Sequence, residues 1–431
     1  MIVKHNSIIF TDDSKKANID STFVTSKHNE QYVQSAKDNG CATFINSSEL
    51  KTYFDFSSIK IIGITGTNGK TTTAAAIYSI LLDLGYKVAL QGTRGFFINE
   101  ERIEEYSLTT PIQLGNFYHV QKALENGCEF FVMEVSSHAI EQNRIEGLDF
   151  ALKIHTNITQ DHLDYHKTIE DYTAVKNSFF ADDSMKLINK DDNKVKFKMK
   201  NAFAYGAENP ATYKVTAYSL KNGIHVALQH FSNIVNFSSS MVGYFNVYNL
   251  TAAVGAVNLL TKEPLQNICD QVENFGGVSG RVEVVSSDPL IVVDFAHTPD
   301  GMEKVFQSFS DHDIITVFGA GGDRDRSKRP MMGQIAQKYS KEIIITSDNP
   351  RFEDPDLICE DILKGCGAHL SICVEINRKK AIEKSLELIE KYKNPVVLIL
   401  GKGDEEYQTV YDKKFPLNDK EIVKGLLKKN K

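Results

Sequence analysis

The sequence predicts an α/β protein built on mostly parallel sheets, and three observations carry that prediction. From Lys60 onward, apolar strand-like runs alternate with helical stretches, the pattern of strand–helix–strand units on a parallel sheet. One run, Ile61 to Thr65, passes through a glycine loop into a helix that begins near Lys70. The alternation is interrupted around Tyr213 and restarts after Gly280–Arg281, so the chain carries two such sheets. A chain of 431 residues exceeds one typical core, which sets the expectation at two or three domains.

Residues 1 to about 57 read as a small α/β binding or packing unit. Short apolar runs at Ser7–Phe10, Thr22–Val24 and Ala42–Ile45 alternate with polar turns, and Gln31–Asn39 looks helical. The glycine loop is followed by a helix to about Leu84, stopped by Gly85, and by the strand Lys87–Leu90. A helix from about Ile112 to Asn126, stopped by Gly127, precedes the strands Glu129–Val135 and Ala151–Thr156. Thr168-x-x-Asp171 resembles a capping box, so a helix starts there. Asn222–Gly223, between short strands, is a hairpin signal, and a helix from about Val247 to Leu260 follows.

In the second sheet the strands are Leu290–Val293, Ile314–Phe318, Glu342–Thr346 and Val396–Leu400. Helices fall near Gly301–Phe309, Met331–Tyr339 and Arg378–Tyr392, which makes a doubly wound domain. Each strand runs into polar residues: Asp294, Gly319 to Asp323, Asp348 to Arg351, Gly401 to Glu405. Ligands of open α/β sheets gather at the carboxyl ends of strands, so four such ends argue for one site.

The glycine loop, Gly66-Thr67-Asn68-Gly69-Lys70-Thr71, has the chemistry of a nucleotide-phosphate cradle. Its glycines let backbone approach a ligand, the first N–H groups of the helix face the loop, Lys70 adds a charge, and Thr71 a hydroxyl suited to Mg²⁺. Five residues separate Gly63 from Gly69, one more than the generic motif allows. Glu134 ends an apolar strand beside this loop, where an acid can hold Mg²⁺ directly or through water. The dense polar run Thr156 to His166 follows another strand, either as a site or as a hydrogen-bonded loop. Lys176 falls on the apolar stripe of Ile169, Tyr172 and Phe179. A buried lysine tends to lose its proton, and a neutral amine can add CO₂ to become a metal-binding carbamate; snorkelling to solvent is the alternative that periodicity favours. Asn189-Lys190-Asp191-Asp192 matches the guanine signature NKxD, but no DxxG lies between Thr71 and Asn189, so the match reads as chance.

Composition narrows the class. A net charge of −7 and a pI near 6.0 argue against nucleic acid as the main partner. The basic run Lys186–Lys200 is interrupted by Asp191 and Asp192 and reads as a solvated surface. The longest aliphatic run, Val396–Leu400, is too short to span a bilayer, and the N-terminus lacks a signal-peptide profile. Six scattered cysteines without a CxxC pair read as reduced thiols of a cytosolic protein.

With these pieces placed, the chain resembles the Mur ligase family over nearly its whole length, and within it the diaminopimelate-adding members. The loop Gly66–Thr71 is similar to the family's own phosphate loop, which accounts for the extra residue. Met133–His138, Asp161–His166, Gly243–Asn249, Gly280–Glu283, Asp294–Asp300 and Gly321–Asp325 are further family-like blocks in family order. The resemblance implies three domains: a UDP-substrate-binding N-terminal domain (1–57), a central ATP-binding domain of P-loop ATPase type (58–280) and a C-terminal Rossmann-like, amino-acid-binding domain (281–431). It implies ATP, two Mg²⁺ sites and a carbamate on Lys176, with Thr71, Glu134, His162 and carbamylated Lys176 as metal ligands and Lys70, Lys176, His162 and Glu134 as catalytic groups.

It further implies ATP contacts at Gly66, Thr67, Asn68, Gly69, Lys70, Thr71, Thr72, Asn249, Arg281, Asp294 and His297. Thr109, Thr110, Ser136, Gln142 and Arg144 match positions holding UDP-N-acetylmuramoyl-L-Ala-D-Glu. Arg324, Asp348, Asn349, Pro350, Arg351, Gly401 and Glu405 match positions around meso-diaminopimelate. Asp348-Asn349-Pro350-Arg351 resembles the version that selects this diamino acid, whose distal carboxylate a guanidinium grips bidentately. The expected activity is therefore ATP-dependent amide-bond ligation through an acyl phosphate, in a cytoplasmic monomer without membrane insertion, its ATP-binding and C-terminal domains moving relative to each other.

Two departures stand out: Asp404 replaces the histidine of the family's GKGHE, and the N-terminal unit is short, leaving uridine contacts unassigned. The rival readings are a folylpolyglutamate synthase or alanyl-alanine-adding ligase, a P-loop switch or motor ATPase, and an inactive scaffold.

Overall fold

The computed structural model describes residues 1–105, 108–367 and 371–429. An eleven-stranded sheet forms its middle. The strand Lys60–Thr65 lies between Phe150–His155 and Phe130–Glu134, parallel to both. Five of its six residues are buried, as a strand covered on both faces requires. Val88–Gly92 continues the parallel arrangement beyond Phe130–Glu134, and Lys186–Asn189, Ala202–Gly206 and Tyr213–Ser219 continue it on the other side. Antiparallel hairpins finish both ends. At the Asn222–Gly223 hairpin both turn residues have positive φ (58° and 107°), the geometry that dipeptide favours.

Parallel pairing brings the carboxyl ends of neighbouring strands to one edge. Val135 N–H donates to the Ile64 carbonyl at 2.8 Å and Thr156 N–H to the Thr65 carbonyl at 3.0 Å, so three strand ends meet at the glycine loop. One face of the sheet is covered by the helices Lys70–Asp83 and Tyr244–Leu260. The second has 12 of its 17 residues buried and no amphipathic stripe, as expected of a helix enclosed all round. The other face packs on the helix Gln113–Glu125 and on the N-terminal unit. Val3, Phe10 and Phe54 share one apolar cluster with Phe117, Phe131 and Met133, and only Ala17, Phe23, Ala36 and Cys41 form a small core within the first residues themselves. The four-stranded N-terminal sheet thus leans on the central sheet for much of its burial.

The C-terminal sheet has six strands, ordered Glu283–Ser287, Leu290–Asp294, Pro395–Leu400, Asp313–Phe318, Ser340–Ile345 and Ser371–Val374. All but the first pair in parallel. Helices Pro299–Ser308, Lys328–Tyr339 and Pro355–Leu363 pack on one face, and Arg378–Glu387 and Asp419–Lys429 on the other, which is the doubly wound arrangement. Several elements were not anticipated, among them Pro355–Leu363, Leu265–Gln271 and the hairpin Tyr407–Val410/Lys413–Pro416. Helix starts also lie upstream of the apolar periodicity: Lys328 rather than Met331, Tyr244 rather than Val247. The first turn of Lys328–Tyr339 is polar, so periodicity there finds the middle of the helix; Tyr244–Leu260 opens instead on Tyr244, Phe245 and Asn246.

Two side-chain expectations change. Lys176 does not snorkel; it is 1% exposed. Lys186, placed on a solvated surface by its basic neighbours, is buried, with Nζ donating to the carbonyls of Asp182 and Lys200. All six cysteines are free thiols, four of them buried. Among the described residues no helix is long and apolar enough to cross a membrane.

Candidate active site

The glycine loop is shaped by what surrounds it. A Cβ on Gly66 (φ 156°) would meet Thr156 Oγ1 at 1.8 Å, and one on Gly69 (φ 85°) would meet Asn249 Oδ1 at 2.4 Å. Both positions therefore need glycine for space and for conformation. Lys70 opens the helix and folds back, its Nζ donating to the carbonyls of Gly66 (2.8 Å) and Thr67 (2.9 Å). Burial lowers its pKa, against the charges of Glu134 and Asp161. Thr67 Oγ1 meets Tyr172 Oη at 2.9 Å, and the Asn68 amide donates to Asp300 Oδ2 at 2.8 Å, across to the C-terminal sheet's first helix. Asp300 also takes Lys304 Nζ at 2.9 Å.

Glu134, 2% exposed, accepts from Thr71 Oγ1 (2.9 Å) and from the Thr93 N–H (2.9 Å). Beyond it Thr93 Oγ1 meets Thr109 Oγ1 at 3.1 Å. Thr110 Oγ1 donates to the Glu134 carbonyl (2.9 Å) and accepts from Ser136 N–H (3.0 Å). Arg144 donates to the Thr110 carbonyl (2.9 Å) and to Gln142 Oε1 (2.8 Å). The five residues matched to the UDP-substrate thus form one cluster flanking Glu134.

His162 sits at φ 55° with Nε2 3.3 Å from Asp161 Oδ2. Burial holds the imidazole below its ordinary pKa; burial would raise Asp161, but the charges of His162, His297 and Lys328 win and hold it low. Lys176 lies under the loop, with Nζ donating to the Gly66 carbonyl at 2.9 Å and 4.9 Å from the Tyr172 ring centroid. Burial and the Lys70 charge push its pKa well down. The amide and carboxylates of the NKxD-like stretch are engaged in structural hydrogen bonds. Asn189 Nδ2 donates to the Thr156 carbonyl at 2.7 Å, Asp191 accepts from the N–H groups of Ala207, Glu208 and Asn209 and from Tyr248 Oη, and Asp192 accepts from Ile158 N–H.

The C-terminal strand ends close the other side. Asp294 accepts from Ala296 N–H (2.6 Å) and Val282 N–H (2.7 Å), and burial raises its pKa against the pull of Arg281. The Arg281 guanidinium lies 4.1 Å from the Phe295 ring centroid, and His297 Nδ1 lies 2.9 Å from the Phe295 carbonyl. Fully buried Lys402 pins the next group: its Nζ donates to Asn349 Oδ1 (3.2 Å), Glu405 Oε2 (2.7 Å) and the Tyr407 carbonyl (2.7 Å). Burial would raise Asp348, but Lys402 and Arg378 hold it below the usual carboxylate range. Arg351, at φ 51°, donates through Nη1 to the Gly322 carbonyl at 2.7 Å. Asp404, which stands where an imidazole was expected, takes Arg94 Nε at 3.1 Å and so joins the two sheets.

One cavity of about 920 Å³ unites these groups. Of the predicted residues it is lined by Thr67 to Thr72, Thr109, Glu134, His162, Asn249, Arg281, Asp294, His297, Arg324, Asp348, Asn349, Arg351, Gly401 and Glu405. Gly66, Thr110, Ser136, Gln142, Arg144, Lys176 and Pro350 do not line it. Thr93, Lys304 and Lys328 line the cavity without having been singled out, and so does Asp161, noted only as part of a polar run.

The chain matches the model of the Mur ligase middle domain over residues 64–257 and that of the Mur ligase glutamate ligase domain over residues 280–403. The chain belongs to the Mur ligase family. A relative from Wolinella succinogenes, named UDP-N-acetylmuramoyl-L-alanyl-D-glutamate–2,6-diaminopimelate ligase, is 54% identical over 97% of this chain and 95% of its own. A relative of the same name from Helicobacter hepaticus is 51% identical over 94% of this chain and 89% of its own. A solved structure of a protein with that name superposes with a TM-score of 0.67 at 29% identity, covering 98% of this chain and 94% of that one.

Among the described residues of this Mur ligase, no three His, Cys, Asp or Glu side chains converge as a metal cluster. The donors on offer are the Thr71 hydroxyl and the Glu134 carboxylate, in contact beside the phosphate loop, with His162 on the same cavity. Mg²⁺ usually keeps several waters and takes one or two protein groups together with phosphate oxygens. This sparse oxygen set fits Mg²⁺ arriving with a nucleotide. Lys176 fits carbamylation in two respects, a buried amine and a depressed pKa.

Proposed function

We propose that this Mur ligase joins meso-diaminopimelate to the D-Glu γ-carboxylate of UDP-N-acetylmuramoyl-L-Ala-D-Glu at the expense of ATP, in cytoplasmic peptidoglycan precursor synthesis, as a monomer. One observation carries the reading: the phosphate loop and the Arg351 guanidinium line the same cavity. A carboxylate is a poor electrophile until activated. Its oxygen attacks the γ-phosphorus of ATP, the bond to ADP breaks with its electron pair leaving on ADP, and an acyl phosphate results. The diamino acid's nitrogen then adds to the acyl carbon, phosphate departs with the C–O pair, and the nitrogen gives up its proton.

Lys70 and the N–H groups of the loop offset charge on the moving phosphoryl group, for which Lys70 exchanges its two carbonyl contacts. Mg²⁺ held by Thr71, Glu134 and His162, and by a carbamate on Lys176, supplies further charge neutralisation when bound. Ser136, Arg144 and the Thr109–Thr110 pair hold the UDP-linked dipeptide in this reading, which their clustering beside Glu134 supports. Arg351 uses Nη1 on Gly322 and presents the rest of its guanidinium to the distal carboxylate of meso-diaminopimelate, while Glu405 takes the distal ammonium. L-Lysine carries only an ammonium at that end, which Arg351 repels. The contacts Asn68–Asp300 and Arg94–Asp404 tie the two sheets across the cavity, and closure of this kind keeps water from an acyl phosphate.

Phosphate release tests the reading, with ATP, Mg²⁺ and the UDP-linked dipeptide, comparing meso-diaminopimelate, L-lysine and no amino acid. Release that depends on meso-diaminopimelate, with formation of the tripeptide product, is expected. Preference for lysine refutes the role of Arg351, and turnover indifferent to dipeptide and amino acid refutes the ligase.

A further inference from the structure

Two basic residues open the helix Lys328–Tyr339, and the structure treats them in opposite ways. Arg329 is firmly paired: through Nη1 and Nη2 it donates to Glu353 (2.9 and 3.0 Å), to Asp361 (3.0 Å) and to the Gly321 carbonyl (3.2 Å), and only its Nε is left over. Lys328 is nearly as deep, 8% exposed, yet among the described residues no side chain or carbonyl takes a hydrogen bond or an ion pair from its ammonium. It lines the cavity together with the phosphate loop. Its charge reaches Asp161 and His297 without contact, and the Asp161 carboxylate is already occupied by the His162 N–H and ring.

An unpaired ammonium in such a place is unfavourable twice over. Burial strips its hydration, and the first turn of a helix already carries the positive end of the helix dipole, where an acid rather than a lysine is stabilising. No acidic residue stands in that first turn to offset it. Both penalties reverse when an anion enters the cavity, because the ammonium and the dipole then attract it together. Lys70 and its loop approach such an anion from the central sheet, and Lys328 from the C-terminal sheet.

We propose that Lys328 is the counter-ion that the C-terminal half supplies to the phosphoryl group as it passes from ATP to the substrate γ-carboxylate. The inference rests on the ligase reading above. In that step the carboxylate oxygen bonds to phosphorus, the bond to the ADP oxygen breaks, and its electron pair leaves on ADP. Lys328 donates a hydrogen bond and exchanges no proton. Because this charge belongs to the C-terminal half, phosphoryl transfer depends on the two halves being together.

The test uses the full-length protein and the variants Lys328→Met and Lys328→Arg. Wild-type formation of the tripeptide product is measured first; its absence refutes the ligase reading and not the variant comparison. Thermal melting without substrates, kcat, and KM for ATP and for meso-diaminopimelate follow. The Met variant is expected to melt at or above the wild-type temperature, since only an unpaired charge is lost. Its kcat is expected to fall about a hundredfold or more, as for loss of a donor to a developing charge, with both KM values within about threefold. The Arg variant is expected to exceed the Met variant in kcat by about tenfold or more. A Met variant with kcat near wild type, a lower melting temperature, a loss carried by the KM for meso-diaminopimelate, or an Arg variant no better than Met each overturns the proposal.

Discussion

Replacing Glu134 separates a structural role from a chemical one. The carboxylate accepts from Thr71 Oγ1 and from the Thr93 N–H, both at 2.9 Å, with a longer contact to Thr93 Oγ1 at 3.4 Å. Glu134→Ala leaves the Thr93 N–H without its acceptor, which costs about 1–3 kcal/mol. The space vacated beside Gly92 adds about 1 kcal/mol, for a total of about 2–4 kcal/mol. Glu134→Gln keeps the length and one acceptor oxygen for Thr93, and the Thr71 hydroxyl can turn to accept from the new amide, so its cost is about 0–1 kcal/mol. Both substitutions remove the negative charge beside the phosphate loop, and both are expected to lower kcat by about a hundredfold to a thousandfold. Urea unfolding and chromatographic detection of the tripeptide product read the two effects separately. A Gln variant turning over within tenfold of wild type, or an Ala variant as stable as the Gln variant, would refute this division of labour.

Arg351→Ala should lower kcat/KM for meso-diaminopimelate about a hundredfold, from loss of a charge-assisted grip of about 3 kcal/mol, and should narrow the gap to L-lysine; kinetics with both amino acids measure it. Arg94→Ala removes a half-exposed ion pair at 3.1 Å, so its effect on KM should be about fivefold or less and should vanish in high salt, where the wild-type pair is itself screened. His155 is buried, its pKa pushed down to about 3 by burial and then by the Lys176 charge. Between that value and the ordinary one near 6.5, the unfolded chain binds the proton that the folded chain refuses, so stability should fall as pH drops, by up to about 1.4 kcal/mol per pH unit. His155→Leu should flatten that acid limb in urea unfolding at a series of pH values; an unchanged slope would remove His155 as the cause.

The parts of this molecule legible in its sequence are those whose physics is local. A buried strand, two glycines and a lysine at a helix start lie within ten residues, and the structure assembles them as read, with Gly66 and Gly69 pressed against Thr156 and Asn249. The carboxyl ends of the C-terminal strands were legible for the same reason, since each strand stops where polar residues begin. Contacts between distant segments were not. Arg94 meets Asp404 from 310 positions away, and Asn68 meets Asp300 from 232, and neither partner marks the other. Lys176 shows the limit within a single helix: its apolar stripe with Tyr172 was visible, but the route of its long side chain depends on the Gly66 carbonyl, which only the fold brings near. Lys186 failed in the other direction, because surrounding lysines disguise a strand position that is buried.

The helix Tyr244–Leu260 carries Asn246 and Asn249 to the cavity wall and then runs on through the core, and Gly255 passes so close to Tyr213 that an added Cβ would lie 3.0 Å from the ring. With most of its residues enclosed, it has few positions at which a new side chain goes unnoticed. An inhibitor seated against Asn246 and Asn249 would therefore rest on a wall with little freedom to drift. Substitutions that loosen its grip by shifting the helix would also disturb the packing between the phosphate-loop helix and the sheet, so mutational escape along this route would carry its own loss of fitness.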